Sequence, residues 1–199
     1  MTKKTDIRVI RTRQNIIQAF VDLANSEGID AVTVQQIADW AMINRATFYA
    51  HFTDKEDLYE QVFRLAMATF TPLRKPELFR HGHIQADLVT RRLTDVFKEV
   101  KRQRQIFLLI LNNTNSTKLL DQLKQMLKSN ISGVLLKLGI RRNSNVPSEL
   151  VLTYLVSTFI GVLQWWLRSP SKMSAQHLAK LYVELMRNGH LKLVGIKVE

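Results

Sequence analysis

The stretch TVQQIADWAMINRATFYAHF, residues 33–52, decides the fold of this chain. Thr33 is followed three residues later by Gln36, which is the spacing of a capping box that opens a short helix. Asn44 is a favourable N-cap for a second short helix, so only a tight turn can separate the two. Two short helices joined by such a turn are typical of a helix-turn-helix, and we expect that motif here.

The second helix of the motif predicts a contact with nucleic acid. In a helix-turn-helix this helix lies in the major groove, with its first residues near the base edges. Two phenylalanines four residues apart should face inward, which turns the polar side chains between them outward. The Arg45 guanidinium matches guanine, whereas the rings of Tyr49 and His51 suit backbone phosphates. We expect Asn44 or Thr47 to contact a base or a phosphate, and Ala46 to contact a thymine methyl. An ordinary solvated helix face is the alternative.

Helical patterns continue on both sides of the motif. Apolar residues at helical spacing from Ile10 to Ala24 predict a preceding helix that stops at Gly28. Thr53 with Glu56 has the spacing of a second capping box, which predicts the start of a following helix.

Prolines and a glycine between residues 70 and 82 then interrupt the helical pattern, and we place the domain boundary there. The chain is therefore predicted to be all-α. Residues 1–70 should form a three-helix helix-turn-helix domain, and residues 71–199 a helical regulatory and dimerisation domain. The last two helices of the second domain are expected at 148–168 and about 174–190.

Residues 150–167 form an uncharged run of eighteen residues. That length reaches the threshold of a membrane span, but several polar residues interrupt the run. We therefore favour a core or subunit-interface helix. Within it, Ile160, Leu163 and Trp166 are predicted to lie in a dimer interface. Only one of the adjacent Trp165 and Trp166 can face inward, and Trp165 is predicted to contact a ligand.

Composition and charge limit the classes of function that the chain can have. The formal net charge is +12 and the pI is about 10.2, a balance that favours an anionic partner such as nucleic acid. The absence of cysteine excludes disulfides, thiolate metal sites and cysteine nucleophiles. No phosphate-binding glycine loop, nucleophile elbow or paired carboxylates occur, so we expect no enzyme activity, no cofactor and no metal site.

The positive charge is concentrated outside the first domain. Residues 1–60 carry 7 Lys and Arg against 9 Asp and Glu, and the remainder carries 22 against 8. Four of these cations are close together in the second domain, namely Lys98, Lys101, Arg102 and Arg104. They are either a solvated basic face or part of a site for an anionic ligand, such as a carboxylate or an acyl-coenzyme A thioester. The predicted ligand-binding residues are Phe97, Lys101, Arg104 and Trp165.

Residues 8–63 resemble the N-terminal domain of the TetR family of bacterial transcription regulators. The resemblance rests on TVQQIA at 33–38, NRATFYAHF at 44–52 and DKEDL at 54–58. It implies an all-α dimer that binds operator DNA and is released by a small ligand. It also implies DNA contacts, chiefly with phosphate, at Thr33, Gln35, Tyr49, His51 and Lys55.

Three positions depart from the family's usual pattern. Met42 occupies the turn where a glycine is usual, so this turn must form without the residue that best tolerates a left-handed backbone. Asn44 replaces the usual serine at the N-cap, which it can serve equally well. Trp40 occupies a position where small or charged residues are common, so an operator cannot be transferred from a relative.

The sequence thus predicts a cytoplasmic, homodimeric repressor that binds a palindromic double-stranded operator and responds to a small-molecule effector. One alternative is a TetR-like regulator controlled by a protein partner. The other is a basic architectural protein that binds DNA without sequence preference. The identity of the effector, the operator and the regulated genes is not encoded in any motif of the chain.

Overall fold

The computed structural model describes residues 7–74, 78–80, 83–112, 118–137, 147–170 and 172–188. Its first four helices are α1 (Ile7–Glu27), α2 (Val34–Trp40), α3 (Arg45–His51) and α4 (Lys55–Ala68). Five more follow, which are α5 (Ala86–Arg102), α6 (Arg104–Asn112), α7 (Lys118–Lys137), α8 (Ser148–Arg168) and α9 (Ala175–Asn188). The prediction of an all-α fold is confirmed.

A short non-helical segment lies between α4 and α5. It contains a 3₁₀ turn at Thr71–Arg74 and an antiparallel pair of two-residue strands, β1 (Phe79–Arg80) and β2 (His83–Ile84). Phe79 pairs with Ile84 and Arg80 with His83. The sequence predicted the break in the helical pattern but not this pairing, because two residues are too few to show strand periodicity.

Local capping explains several boundaries among the first four helices. Thr33 forms the predicted capping box of α2 with Gln36, and the Asn44 side chain caps α3 as predicted. Gly28 ends α1 with a φ of 89°, and its N–H donates to the Ala24 carbonyl at 3.1 Å. These three predictions are confirmed.

The predicted cap of α4 was wrong by one residue. The Asp54 carboxylate accepts from the Asp57 N–H at 2.7 Å, and the Asp57 carboxylate accepts from the Thr53 N–H at 3.1 Å. The N-cap of α4 is therefore Asp54 rather than Thr53, and the carboxylate that accepts from the Thr53 N–H belongs to Asp57 rather than to Glu56. A carboxylate at the N-cap also interacts favourably with the positive end of the helix dipole.

The chain forms two compact units. The N-terminal unit is Met1–Ala66 together with Gln105–Leu120, and the C-terminal unit is Met67–Arg104 together with Asp121–Glu199. This division differs from the sequence boundary in two respects. Residues 67–70 belong to the C-terminal unit, and Gln105–Leu120 belongs with the helix-turn-helix.

The core of the N-terminal unit is built from five helices. Its buried side chains come from α1 to α4 and from α6, and they include Phe20, Ile37, Phe48, Leu58 and Leu109. Burial of such side chains contributes about 1.5–3 kcal/mol each, so this core is what holds α2 and α3 in place.

An aromatic cluster forms the core of the C-terminal unit. The Phe97 ring stacks on Phe159 with centroids 5.9 Å apart, and it lies 6.5 Å from the Tyr182 ring in an edge-on arrangement. Phe70 packs edge-on against Phe159 at 6.0 Å. Aromatic pairs of this kind stabilise a core beyond the burial of their apolar surface, because their rings prefer particular relative orientations.

Helix α8 contributes a buried stripe to this core. Among the described residues it is the one helix long and apolar enough to cross a membrane by length and composition, and 39% of its apolar window is buried inside the chain. The buried residues recur every three or four positions from Leu152 to Leu167, which is the spacing of a helix packed against a protein core.

Candidate nucleic-acid interface

Helix α2 is fixed at its first turn. The Thr33 hydroxyl accepts from the Gln36 N–H at 3.3 Å, and the Thr33 N–H donates to the Gln36 side-chain oxygen at 2.8 Å. The Gln36 amide also donates to Glu27 at 3.0 Å, which ties the start of α2 to the end of α1. Gln35 is exposed, and its amide bonds to Asp39 at 2.8 Å.

The turn between α2 and α3 contains a left-handed non-glycine residue. Met42 has a φ of 54°, and its side chain is 90% exposed. Its N–H donates to the Asp39 carbonyl at 3.1 Å, and the following Ile43 N–H donates to the Ala38 carbonyl at 2.9 Å. The turn therefore keeps its hydrogen bonds, although an L-residue with a side chain pays a conformational cost there.

The start of α3 is held by a double contact from its cap. Asn44 Oδ1 accepts from the Thr47 N–H at 2.7 Å and from the Thr47 hydroxyl at 2.9 Å. Asn44 and Thr47, both predicted to contact DNA, are thus hydrogen-bonded to each other at the start of α3. Arg45 and Ala46, between them, are exposed.

The two faces of α3 differ as predicted. Phe48 and Phe52 are 0% and 1% exposed, with ring centroids 5.8 Å apart. Tyr49 is 48% exposed on the other side. The Arg45 guanidinium lies 5.9 Å from the Tyr49 ring, and its Nη2 donates to the Tyr49 hydroxyl at 3.4 Å. Arg45 and Tyr49 therefore form one outward polar surface.

The end of α3 is anchored by a cation that the sequence did not single out for this role. Arg13 of α1 places its guanidinium 4.7 Å from the Phe52 centroid and donates to the His51 carbonyl at 3.4 Å. A positive charge near a helix C-terminus is favourable. A contact across thirty-eight residues leaves no local pattern by which the sequence could reveal it. His51 itself is half-buried.

Lys55 has structural contacts as well as a predicted phosphate contact. Its ammonium donates to the carbonyls of Ile29 and Asp30 at 3.2 and 3.3 Å. It therefore closes the loop between α1 and α2 against the start of α4.

Two family models match the chain. One, described as bacterial regulatory proteins, tetR family, matches residues 16–62, and the other, described as transcriptional regulator C-terminal region, matches residues 90–188. The chain belongs to the TetR family. Its members are DNA-binding transcription regulators, so the resemblance inferred from the motif is confirmed.

Individual relatives of this TetR-family chain match it to different extents. The HTH-type transcriptional regulator YxbF of Bacillus subtilis (strain 168) is 37% identical over 67 residues, which are 33% of this chain and 18% of YxbF. The HTH-type transcriptional repressor BepR of Brucella suis biovar 1 (strain 1330) is 25% identical over 179 residues, 83% of this chain and 85% of BepR. The chain spans less than a third of the length of the first four curated relatives that it matches.

A solved TetR-like structure extends the likeness to nearly the whole chain. The transcriptional regulator FadR of Bacillus subtilis, in complex with stearoyl-CoA, superposes with a TM-score of 0.63 and 16% identity, covering 88% of this chain and 98% of FadR. At this identity the likeness shows the fold.

The residues predicted to bind a ligand lie near the end of α8 but differ in exposure and in their contacts. Phe97 is completely buried in the aromatic cluster, whereas Trp165 is 51% exposed. The Lys101 ammonium lies 5.8 Å from the Trp166 ring. Arg104 donates to the Leu167 carbonyl at 3.2 and 2.8 Å, so this guanidinium holds the end of α8.

The residues predicted for a dimer interface lie inside the protomer instead. Leu163 is 0% exposed, and Ile160 and Trp166 are each 5% exposed. Trp166 is the inward member of the tryptophan pair, and its indole N–H donates to the Met173 carbonyl at 3.1 Å. Side chains with so little surface cannot form most of a contact with a second chain.

The opposite side of α8 is the exposed one. Its exposed residues recur at helical spacing along one line, and we name this line the outer stripe of α8. Its large members are Leu150, Tyr154 and Trp165, which are 60%, 52% and 51% exposed, and its small members are Ser157 and Gly161. The sequence did not separate this stripe from the buried one because α8 is apolar nearly all round.

Proposed function

We propose that this TetR-family chain is a cytoplasmic, homodimeric repressor that binds a palindromic operator through α3 and leaves it when a small ligand binds. The DNA contacts are assigned to Thr33, Gln35, Asn44, Arg45, Ala46, Thr47, Tyr49, His51 and Lys55. The observation that supports this proposal most strongly is the geometry of α3. Its exposed residues include Arg45 and Tyr49, while its phenylalanines fix the helix to the core.

The proposed dimer contact is the outer stripe of α8. The stripe is uncharged and lies beside an apolar groove of about 240 Å³ between α8 and α9, lined by Tyr154, Leu155, Tyr182 and Met186 among others. Burial raises the pKa of the Tyr182 hydroxyl above its ordinary value, so its ring stays neutral. A second copy of the chain related by a two-fold axis would cover this surface and present two α3 helices to a palindrome.

The proposed release from the operator on ligand binding can be transmitted through the direct connection between α5 and α6. Gln103 alone separates the end of α5 from the start of α6. Residues of α6 pack into the N-terminal core, and the Asn25 amide donates to the Gln105 carbonyl at 3.0 Å. A shift of α5 on ligand binding would pull directly on α6. The ligand-bound structural neighbour FadR supports an effector of acidic character.

The operator contact is tested with Arg45→Ala. Removing the guanidinium should cost about 1–3 kcal/mol on the operator and relax the preference at one base pair per half-site, because the bidentate contact with guanine is lost. Gel shifts with the operator and with single-base variants in each half-site measure both effects. A variant that still discriminates these sites as well as the unmodified protein would contradict the assignment of Arg45.

Tyr49→Phe is the matched control on the same face of α3. We expect it to weaken binding to all sequences similarly, because the hydroxyl is assigned to phosphate. A scrambled palindrome separates the alternatives. Equal affinity for the operator and its scramble would indicate an architectural protein. Specific binding that no small compound relieves, but a protein does, would indicate control by a protein partner.

A further inference from the structure

A basic groove lies on the C-terminal unit between α5 and α9. Its volume is about 390 Å³, which is within the range of small-molecule sites. The cations in its wall are Arg91, Arg92 and Lys98 of α5, and Gln176 closes it from α9. We name it the α5–α9 groove. It does not include Lys101, Arg102 or Arg104, the other cations of the cluster noted in the sequence.

The wall of the groove carries a net positive charge. Asp95 is the one carboxylate among its described lining residues, so three cations exceed it by two charges. Arg91 and Asp95 are four residues apart on α5, yet within the described part of the chain neither they nor Lys98 form an ion pair or hydrogen bond. The groove therefore presents two cations, Arg91 and Lys98, that no described side chain neutralises.

The nearby cations are engaged elsewhere. Arg102 is paired with Glu99, and that pairing lowers the pKa of the Glu99 carboxyl below its ordinary value. Lys101 faces the Trp166 ring, and Arg104 is bonded to the Leu167 carbonyl. Of the four clustered cations, Lys98 is the one that lines the α5–α9 groove.

We propose that the α5–α9 groove binds a small phosphate monoester. A guanidinium offers a planar fork of donors for an oxyanion, and a lysine ammonium adds a compact charge. A phosphate monoester is close to a dianion at neutral pH and can accept hydrogen bonds from Arg91 and Lys98 together, whereas a simple carboxylate carries only one charge. The Gln176 amide and the apolar side of Leu88 are placed to contact the organic part of the compound.

Calorimetric titration of the full-length protein tests the chemical class of the ligand. The probes are glucose 6-phosphate, inorganic phosphate, glucose and acetate, each at the same ionic strength. Both phosphates should bind saturably, and glucose and acetate at least about tenfold more weakly. The proposal is overturned if neither phosphate saturates, or if glucose or acetate binds as tightly as glucose 6-phosphate.

Charge variants test the location. Arg91→Gln and Lys98→Gln should each weaken glucose 6-phosphate binding about tenfold, the effect of losing one charge-assisted hydrogen bond. Asp95→Asn should strengthen it, because the opposing carboxylate is removed. Lys180→Gln is the control, since Lys180 is exposed on α9 and does not line the groove. Equal losses in Lys180→Gln and the groove variants would overturn the proposal, because they would indicate only a general effect of net charge.

This inference deepens the proposed function, and it rests on that function only for its regulatory consequence. Operator binding is measured separately with and without glucose 6-phosphate. Binding in the groove that leaves operator affinity unchanged would support the site and contradict release by this ligand. Loss of operator affinity that persists in Arg91→Gln and Lys98→Gln would contradict the groove and leave the proposed repressor function standing.

Discussion

At the scale of single residues, Met42 is the most costly backbone position described in the DNA-binding unit. It is the one described non-glycine residue with a positive φ, and its side chain contributes little burial because it is 90% exposed. Neither packing nor a hydrogen bond from its side chain offsets the left-handed conformation. The sequence already pointed to this position, since a methionine occupied a turn that ordinarily uses glycine.

Met42→Gly should therefore stabilise the protein. A left-handed conformation costs an L-residue about 1–2 kcal/mol, and the extra freedom of glycine in the unfolded chain offsets part of the gain. We expect the free energy of unfolding to rise by about 0.5–1 kcal/mol in urea titrations followed by circular dichroism.

Gly28→Ala is the opposite control. Gly28 has a φ of 89°, and a Cβ there would meet no described atom within 4 Å, so only backbone strain distinguishes the variant. It should lower the free energy of unfolding. A Met42→Gly protein that is less stable than the unmodified chain would show that the side chain of Met42 makes a stabilising contact.

At the scale of elements, the N-terminus of α4 depends on the carboxylates of Asp54 and Asp57. Hydrogen bonds from the Gln61 amide and the Thr53 N–H lower the pKa of the Asp57 carboxyl below its ordinary value of 3.8. The stabilisation is present in full above the pKa of the unfolded chain, and it is lost as the pH falls through the lower folded value.

Asp57→Asn should consequently remove an acid-sensitive part of the stability. We expect the difference in free energy of unfolding between the unmodified protein and the variant to be largest above about pH 5 and to shrink below about pH 4. Denaturant titrations at a series of pH values measure it. Glu60→Gln on the same helix is the control, because the Glu60 side chain is exposed and has no hydrogen bond to any described residue. A difference for Asp57→Asn that stays constant with pH would contradict this account.

These elements also show how far the sequence could predict the structure. The caps of α2 and α3 depend on residues three apart, so local spacing was sufficient. At α4, Thr53 and Asp54 are both good caps, and local rules could not choose between them. In α8, the inner and outer sides are both apolar, so periodicity could not tell them apart. The sequence analysis therefore placed Ile160 and Leu163 in a dimer interface, although both are buried and the exposed residue between them is Gly161.

At the scale of the whole molecule, assembly is tested with Gly161→Arg. A Cβ at this position would meet no described atom within 4 Å, and Gly161 is exposed, so the protomer should fold as before. In the proposed dimer the new charge would be buried without a partner, which is strongly unfavourable. Analytical ultracentrifugation at micromolar concentration should show a dimer for the unmodified protein and a monomer for this variant.

Gly133→Arg is the matched control for assembly. Gly133 is also an exposed helical glycine with open space at its Cβ, but it lies on α7 and is not part of the outer stripe of α8. The control should remain a dimer. A monomeric unmodified protein, or dissociation by both substitutions alike, would contradict the proposed interface. Arginine at Ile160 or Leu163 could not serve here, because it would disrupt the core of the protomer.

The assignment of residues beyond 104 to the DNA-binding unit was the part least accessible to the sequence. The bond between Asn25 and Gln105 spans eighty residues, and no local pattern encodes a contact of that range. The motif predicted which helices bind DNA, but not that α6 completes their core. The basic cluster was likewise visible as a pattern, whereas the separation of Lys98 from its engaged neighbours depends on tertiary contacts.

The contribution of α6 to the N-terminal core also has a consequence during synthesis on the ribosome. The chain emerges from its N-terminus, so α1 to α4 are translated before Ile106 and Leu109 exist. Until α6 has left the exit tunnel, the nascent DNA-binding unit lacks part of its interior and presents apolar surface to chaperones. Completion of the DNA-binding unit is thereby delayed until all of α5 has been made. A complete DNA-binding unit therefore does not form before α5, which is proposed to control it, has been synthesised.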